Sequence, residues 1–451
     1  MKRAPTARDV AARVIARVEK DGAFASAALQ AELSQAVQVE PRDRALATEI
    51  VYGCLRVMPW LLERIARFAP RGLKGVDVRV RAHLAVATYQ LYFTRVPAFA
   101  AVNAAVEAVR EARGPRVAAF ANAVLRRVAQ HAASTARADD ERERAIVAST
   151  PAWLREALDR ALSPEEARAF LRCGTEPPAV ALRVERASER DTWVERLRAA
   201  APAASFEPGR VSPRAILARG AGRPQDLPGW SEGAWAIQEE GSQLAALALG
   251  VREGDIVLDA CAGRGNKTAI LARAAGSLGA ADACDALPAK LERLREELAR
   301  VGVRPRATFA VDWSVGSGEV TGAYDRVLVD APCSGVGTLR RRPEIALRRE
   351  AVDLAAMAQA QIAIASSAAE RLRPGGTLVY VVCSVLREEG EEVLQALLRA
   401  RPELEPASFE APEVRAVFGE SNEVRLLPHV HGTDGYFLAC LRSRRSGAAR
   451  S

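Results

Sequence analysis

Apolar side chains recur at helical spacing through residues 1–130 and give way, from Glu239 onward, to alternating helical and strand-like runs. In the first stretch Val10, Val14 and Val18 mark one stripe. Ile50, Cys54, Val57, Leu61, Leu62 and Ile65 mark another, with Pro59 as a kink or break inside it. Further helices are expected over 79–94, 99–112 and 115–130, set apart by Gly and Pro, and the charged stretch from Arg137 to Arg144 is expected to end the bundle. From Pro151 to Trp235 the pattern changes. A helix near Trp153–Leu162 precedes short strand-like pieces such as Ala179–Val184, with frequent Pro and Gly.

The last part orders itself as a parallel α/β sheet. Strands are expected at Asp255–Asp259, Gly279–Asp285, Ala307–Val311, Asp325–Ala331 and Thr377–Cys383, with Arg373-Pro-Gly-Gly376 as a tight turn feeding the fifth. Gly435–Leu441 gives a further strand, half of a closing hairpin. The chain thus divides into an all-α bundle (1–135), a small α+β linker module (146–236) and an α/β domain (237–445).

Composition narrows the class. With 49% hydrophobic and 27% charged residues in 451, the chain can bury several cores, and its apolar runs are broken well before 18 residues, which argues against a membrane span. No signal-type apolar segment opens the chain, so a cytoplasmic protein is expected. Seven scattered cysteines without a CxxC pair argue against a disulfide framework or a zinc ribbon. Residues 1–130 hold 21 Lys and Arg against 11 Asp and Glu, so the whole basic excess of a +8 chain sits there. Such an asymmetry suggests a polyanion partner, although Arg also solvates helix faces and only five of the 64 basic residues are Lys.

The segment DACAGRGNKT (259–268) reads as a strand end, a Gly-containing loop and a helix start, where a ligand can approach the backbone. A P-loop would need Gly at the positions of Cys261 and Asn266, and a dinucleotide fingerprint would need Gly at Thr268. A looser nucleoside-cofactor loop, of the kind that binds S-adenosylmethionine, remains. Asp259, Asp285 and Asp312 fall at successive strand ends. A lone Asp there is often a turn former, but three in register favour a nucleoside, with Asp285 on the ribose and Asp312 near the adenine. Two cysteines, Cys333 in DAPCSG (330–335) and Cys383 in VVCSV (381–385), also reach the carboxyl edge of the sheet. Cys54, Cys173, Cys284 and Cys440 read as small buried residues. Paired thiols suit pyrimidine C5 methylation, because C5 of cytosine becomes nucleophilic only after a thiolate has added at C6.

These motifs, with the terminal HGTDGYFLACL (431–441), resemble the RsmB/Sun family of RNA cytosine-C5 methyltransferases. YQLYFTRVP (89–97) and FANAVLRR (120–127) resemble the NusB-like RNA-binding domain of its ribosomal RNA member, so the likeness spans nearly the whole chain. The resemblance implies a Rossmann-like class I methyltransferase domain, S-adenosyl-L-methionine as cofactor and 16S ribosomal RNA as partner; no obligate protein partner is evident in the sequence. It assigns Cys383 as nucleophile, Cys333 as the residue that helps release product, and Asp330 as holding the target base or the methyl end of the cofactor. Cys261, Ala262, Gly263, Arg264, Gly265, Asn266 and Lys267 match its cofactor loop, and Lys267 could also meet RNA phosphate.

The chain departs from the family's usual CAAPGGK at Gly263, Arg264 and Asn266, which bears on cofactor affinity. Transfer RNA or large-subunit RNA is the alternative substrate, and a non-catalytic RNA-binding assembly factor the alternative class. A reversed assignment of the two cysteines also stays open, since DNA cytosine methyltransferases attack with the Cys of a Pro-Cys motif. His429 and His431 have metal-like spacing without a completing cluster, so no metal is expected. Trp313 could pack near the adenine, and the Arg340-Arg-Arg342 run could grip phosphate beside the cleft; core packing and simple solvation are the respective alternatives.

Overall fold

The computed structural model describes residues 5–36, 40–134, 139–175 and 177–444. It divides into two compact units, Met1–Glu156 with Pro164–Pro177 and Leu339–Arg349, and Ala157–Ser163 with Pro178–Thr338 and Glu350–Ser451.

The first unit is helical. The helix Ala7–Asp21 starts at Thr6, whose side chain accepts from the Asp9 amide while the Asp9 carboxylate accepts from the Thr6 amide, and it buries Val10, Val14 and Val18. Pro41–Arg56 and Met58–Ala66 are separate helices meeting at Val57. Pro59 lies in the first turn of the second helix, where its missing N–H loses no bond, so it starts a helix rather than kinking one. Val78–Phe93 is buried on nearly every face and is the central helix, flanked by Ala98–Arg113 and Pro115–Ser134.

Among the described residues, three longer helices of this unit escaped the sequence pattern, one of them Pro164–Arg172. Ala25–Gln35 is weakly amphipathic, and Asp139–Ser149 continues the bundle through the charged stretch expected to end it. Residues 137 and 138 of that stretch lie outside the described residues. Cys54 is buried in this core, whereas Cys173 is only half-buried, so it is not the small core residue expected. The segment 339–349 belongs to this unit. Glu344, almost fully buried, accepts from the Ala25 amide at 3.1 Å, Arg56 donates to the Arg340 carbonyl at 2.9 Å, and Arg348 bonds the Ala23 carbonyl while stacking over Phe24. The Arg340–Arg342 run lies in turns of this segment of the helical unit, with Arg340 and Arg341 partly buried and Arg342 exposed.

The second unit holds two sheets. In the smaller, β1 (Val180–Val184), β2 (Ser205–Pro208), β3 (Ala215–Arg219) and β4 (Trp235–Ile237) pair antiparallel in the order β2-β3-β1-β4. This sheet and the helix Arg190–Ala200 close a core around Trp193, Phe206 and Trp235.

The larger sheet comprises β5 (Ile256–Asp259), β6 (Ala280–Asp285), β7 (Ala307–Ala310), β8 (Tyr324–Asp330), β9 (Leu372–Val382), β10 (Leu404–Pro406), β11 (Glu423–Leu426) and β12 (Tyr436–Ser443). Its order is β10-β12-β9-β8-β5-β6-β7, with β11 paired to β12. Strands β5 to β9 run parallel, and β12 runs antiparallel to β9. All five expected parallel strands are present, and the terminal strand forms the expected hairpin, with β11. One local expectation fails. Arg373–Gly376 lies inside β9 as a bulge: pairing steps from Tyr324↔Leu372 to Arg326↔Thr377, and Gly375 takes a φ of 80° that suits glycine.

The chain leaves β5 for β6 and β7 on one side and returns to β8 on the other. This reversal opens a crevice at the carboxyl ends of β5 and β8, where ligands bind in such sheets. No single helix among the described residues is long and apolar enough to cross a membrane.

Candidate active site

Four of the sequence-selected segments end at this crevice. Val257 and Leu258 are buried strand residues of β5, and the chain then turns through Cys261–Gly265 into the helix Asn266–Ala275. The loop is tied down by Ala262 N–H to the Cys284 carbonyl at 2.7 Å and Gly265 N–H to the Ala262 carbonyl at 2.9 Å. Gly265 has a φ of 84°, and a Cβ there would approach Leu294 Cγ to 2.9 Å, so glycine is what lets the loop press on the helix Pro288–Arg300. Gly263 also has a positive φ, 57°, but nothing lies within 4 Å of the place its Cβ would take. The loop is therefore closed on its packed side and open at Gly263.

Asp285, at the end of β6, is 6% exposed and accepts from Gly263 N–H (3.2 Å), Leu287 N–H (2.9 Å) and Lys290 Nζ (3.2 Å). A buried carboxylate beside an open glycine turn at a helix N-terminus is a fitting cradle for a nucleoside cofactor. A buried acceptor, Asn266 Oδ1, has no hydrogen-bond partner at the start of that helix. The residues present fit the group that the sequence implies. Of the departures from the usual loop, Arg264 is exposed, and Asn266 is held from behind because its carbonyl accepts from Arg183 Nη1 at 2.5 Å.

Arg183 itself is 1% exposed on β1 and also donates to Gln238 (2.6 Å) and Glu185 (2.5 Å), while Glu185 reaches Arg273 of the helix Asn266–Ala275. The small sheet is thus built into the support of the loop. Sequence reasoning had no signal for this, because Arg183 sits in an apolar strand that showed only its pattern.

Asp312 differs from expectation. β7 ends at Ala310, and the Asp312 carboxylate is exposed and accepts from Ser314 N–H and Oγ at 2.9 and 2.5 Å, a local turn. Trp313 is 2% exposed and packs with Val311 and Tyr324, so it is a core residue. Asp259 is fully buried, with Oδ2 accepting from Thr268 at 2.6 Å and Oδ1 unpartnered. Burial pushes its carboxyl up to about 7, against the lowering influence of Thr268 and Lys267.

Lys267 does not serve as a solvated loop cation. Its Nζ lies 2.5 Å from Asp330 Oδ2, with side-chain exposures of 12% and 25%. Burial works to lower the ammonium, but the Asp330 charge and hydrogen bond, with Asp259 behind them, hold it above the ordinary lysine range. This pair joins the start of the helix Asn266–Ala275 to the first residue of DAPCSG.

Cys333 and Cys383 converge. Their Sγ atoms are 3.2 Å apart, both thiols are free and both residues are half-buried. The hydrogen bond to Cys383 raises the Cys333 thiol well above the usual range, and burial, the Cys383 charge and the nearby Glu389 carboxylate add to the effect. Cys284 is fully buried in the core, as expected of a packing residue, and Cys440 is 3% exposed.

The end of β9 is fixed by backbone. Gly337 N–H donates to the Cys383 carbonyl at 3.0 Å, and Gly435 N–H donates to the Gly337 carbonyl at 2.8 Å. A Cβ on Gly337 would lie 2.0 Å from the Gly435 oxygen. The conspicuous Gly435 of the terminal motif is therefore a packing partner of the cysteine loop. Sequence reasoning also missed Glu389, Gln361 and Ser334, which hydrogen-bond around Cys333. His431 Nδ1 accepts from the Leu427 amide at 2.9 Å, a structural bond within its own turn.

Residues 246–442 match the family described as 16S rRNA methyltransferase RsmB/F, and residues 5–130 match the NusB family. The chain is 34% identical over 447 residues to ribosomal RNA small subunit methyltransferase B of Pseudomonas putida, covering 96% of this chain and 98% of that one. It is 30% identical over 450 residues to the probable ribosomal RNA small subunit methyltransferase B of Bacillus subtilis, with 97% and 98% covered. Among solved structures, that of PH0851 shares the fold over 98% of this chain and 100% of its own, with a TM-score of 0.80 at 22% identity. NSun6 from Pyrococcus horikoshii, solved with SFG, shares it over 66% and 99%, with a TM-score of 0.56 at 20% identity. By its two matched domains, its near full-length relatives and the crevice described above, the chain belongs to the RsmB/F family and is an S-adenosylmethionine-dependent ribosomal RNA methyltransferase.

Proposed function

We propose that this enzyme methylates C5 of a cytosine in 16S ribosomal RNA through a covalent Cys383–C6 adduct, with Cys333 assisting release. The observation that carries the reading is the 3.2 Å approach of the two thiols at the carboxyl edge of the sheet, beside the Lys267–Asp330 pair. S-adenosylmethionine supplies the methyl group, and the loop Cys261–Lys267 with Asp285 would hold it. Asp312 is the residue proposed to reach the adenine.

The chemistry follows from the two thiols. The Cys383 thiolate adds to C6, breaking the C5=C6 double bond and giving C5 the electron pair with which it takes the methyl group. The C5 proton then passes to water, its bonding pair restores C5=C6, and the C6–Sγ bond breaks so that Cys383 leaves as a thiolate. Cys333, as a thiol, stabilises the departing thiolate by an S–H hydrogen bond and keeps its own proton. Asp330, oriented by Lys267, would hold the target base, which must leave its stack to reach Cys383. The basic helical part (1–135) and the module 146–236 would position the RNA, and the sheet domain 237–445 would carry the chemistry. The NusB match favours ribosomal RNA over transfer RNA, because that domain occurs in the rRNA enzyme the sequence resembles.

The test is methyl transfer from labelled S-adenosylmethionine to protein-free small-subunit RNA lacking its modifications, followed by nucleoside analysis. 5-Methylcytidine that disappears with Cys383→Ala supports reaction and nucleophile together. Product that persists with Cys383→Ala rejects the assignment and favours attack by Cys333.

A further inference from the structure

Cys333 is bracketed by a buried polar clamp that no motif announces. Glu389, 0% exposed, uses both carboxylate oxygens. Oε1 accepts from Ser334 N–H at 2.7 Å and from Gln361 Nε2 at 3.1 Å, and Oε2 accepts from Ser334 Oγ at 2.5 Å. Gln361, on the helix Ala351–Ala369 and equally buried, donates from the same nitrogen to the Pro332 carbonyl at 2.9 Å. The residues immediately before and after Cys333 are thus both gripped. Tyr380, on β9, closes the set by placing its hydroxyl between the Glu389 carbonyl (2.7 Å) and Gln361 Oε1 (3.1 Å). Three buried elements, β9, the helix 351–369 and the turn after Cys383, converge on one cysteine loop.

We propose that Glu389 is a positioning residue for the release step, fixing the loop on both sides of Cys333 so that the Cys333 S–H stays aimed at the Cys383 sulfur. The inference rests on the reading of Cys333 as the release residue. Three donors converge on the carboxylate, so an acceptor-only group is required there, and an amide of the same shape would turn an N–H toward the Ser334 hydroxyl. Ser334 Oγ already accepts from Val336 N–H at 3.3 Å, so its own proton has Glu389 as its receiver. The negative charge beside the loop also opposes loss of the Cys333 proton. A fully satisfied buried network of this kind holds a reactive group in place at no reorganisation cost during the reaction.

The experiment compares Glu389→Gln, Ser334→Ala, the double variant and Cys333→Ser, measuring kcat, KM for RNA and the RNA–protein adduct that survives a denaturing gel. Glu389→Gln is expected to lower kcat about ten- to hundredfold with KM for RNA unchanged, and to raise the trapped adduct. Adding Ser334→Ala removes the hydroxyl left without an acceptor and should return part of the kcat, which plain destabilisation would not do. If Glu389→Gln fails to fold, Ser334→Ala alone should still raise the adduct. Wild-type kcat and adduct levels in Glu389→Gln, while Cys333→Ser traps adduct, overturn the role of Glu389 alone. Absence of adduct in Cys333→Ser overturns the release assignment and this inference with it.

Discussion

The sulfur atoms of Cys333 and Cys383 lie 3.2 Å apart although the residues are 50 positions apart in the chain. One lies in the loop after β8 and the other directly follows β9, and these strands are parallel neighbours, so their carboxyl ends deliver both thiols to one edge. The Cys333 thiol is raised by its bond to Cys383, by burial and by the nearby Glu389 carboxylate. A thiol so placed suits the release role proposed for Cys333.

Cys333→Ser should therefore accumulate an RNA–protein adduct rather than simply lose activity, because addition and methylation precede the step it impairs. A denaturing gel of the reaction with labelled RNA reads this directly. Free RNA alone in that lane, with turnover abolished, would instead point to Cys333 as the attacking thiol.

Lys267→Met leaves the Asp330 carboxylate without its ammonium partner in a largely enclosed site. Loss of that charged hydrogen bond is expected to cost about 2 kcal/mol of stability, and misplacement of Asp330 to lower kcat/KM about a hundredfold. The lysine is held above its ordinary range, so the pair's contribution is present throughout neutral pH and is lost only as pH rises through the raised value. Lys267→Met and Asp330→Asn should be far from additive when combined, and additive losses would show that the pair does not act as one unit.

Gly337→Ala tests the backbone seam beneath the cysteines. The added Cβ would meet the Gly435 oxygen at 2.0 Å and the Cys383 oxygen at 2.9 Å, neither of which is a flexible side-chain end. The strand end carrying Cys383 must shift, with a cost of about 1–3 kcal/mol and a large fall in kcat. Unchanged thermal midpoint and turnover would contradict the packing described here.

Asp259 makes a pH prediction. Its carboxyl is pushed up to about 7 in the folded protein, mainly by burial, against an ordinary value of 3.8. Between those values the folded chain keeps a proton that the unfolded chain has lost, so stability falls as pH rises through that window. Asp259→Asn should reduce the loss of unfolding free energy between pH 5 and pH 8 by about 2 kcal/mol. Denaturant titrations of the cofactor-free protein at the two pH values check this, and parallel profiles for the two proteins would refute it.

Local pattern along the chain was enough for the alternation that builds the parallel sheet, for the glycine loop after its first strand and for placing two cysteines at its carboxyl edge, since each is local or tied to a motif at a strand end. Buried runs such as Val257-Leu258 and Val381-Val382 have no other stable place than a covered sheet. Tertiary structure decided the rest. Glu389 stands in the run Glu388-Glu389-Gly390-Glu391-Glu392, where nothing in composition separates a buried clamp from solvated neighbours. Arg183 sits in an apolar strand, and only packing of the small sheet brings it to the Asn266 carbonyl. Lys267 is read from the sequence as a loop residue that could meet RNA phosphate, and the fold instead sets Asp330 against it, 63 residues away. In each case the function of a polar side chain depends on which distant donor or acceptor shares its burial, and a pattern of neighbours along the chain carries no record of that distance.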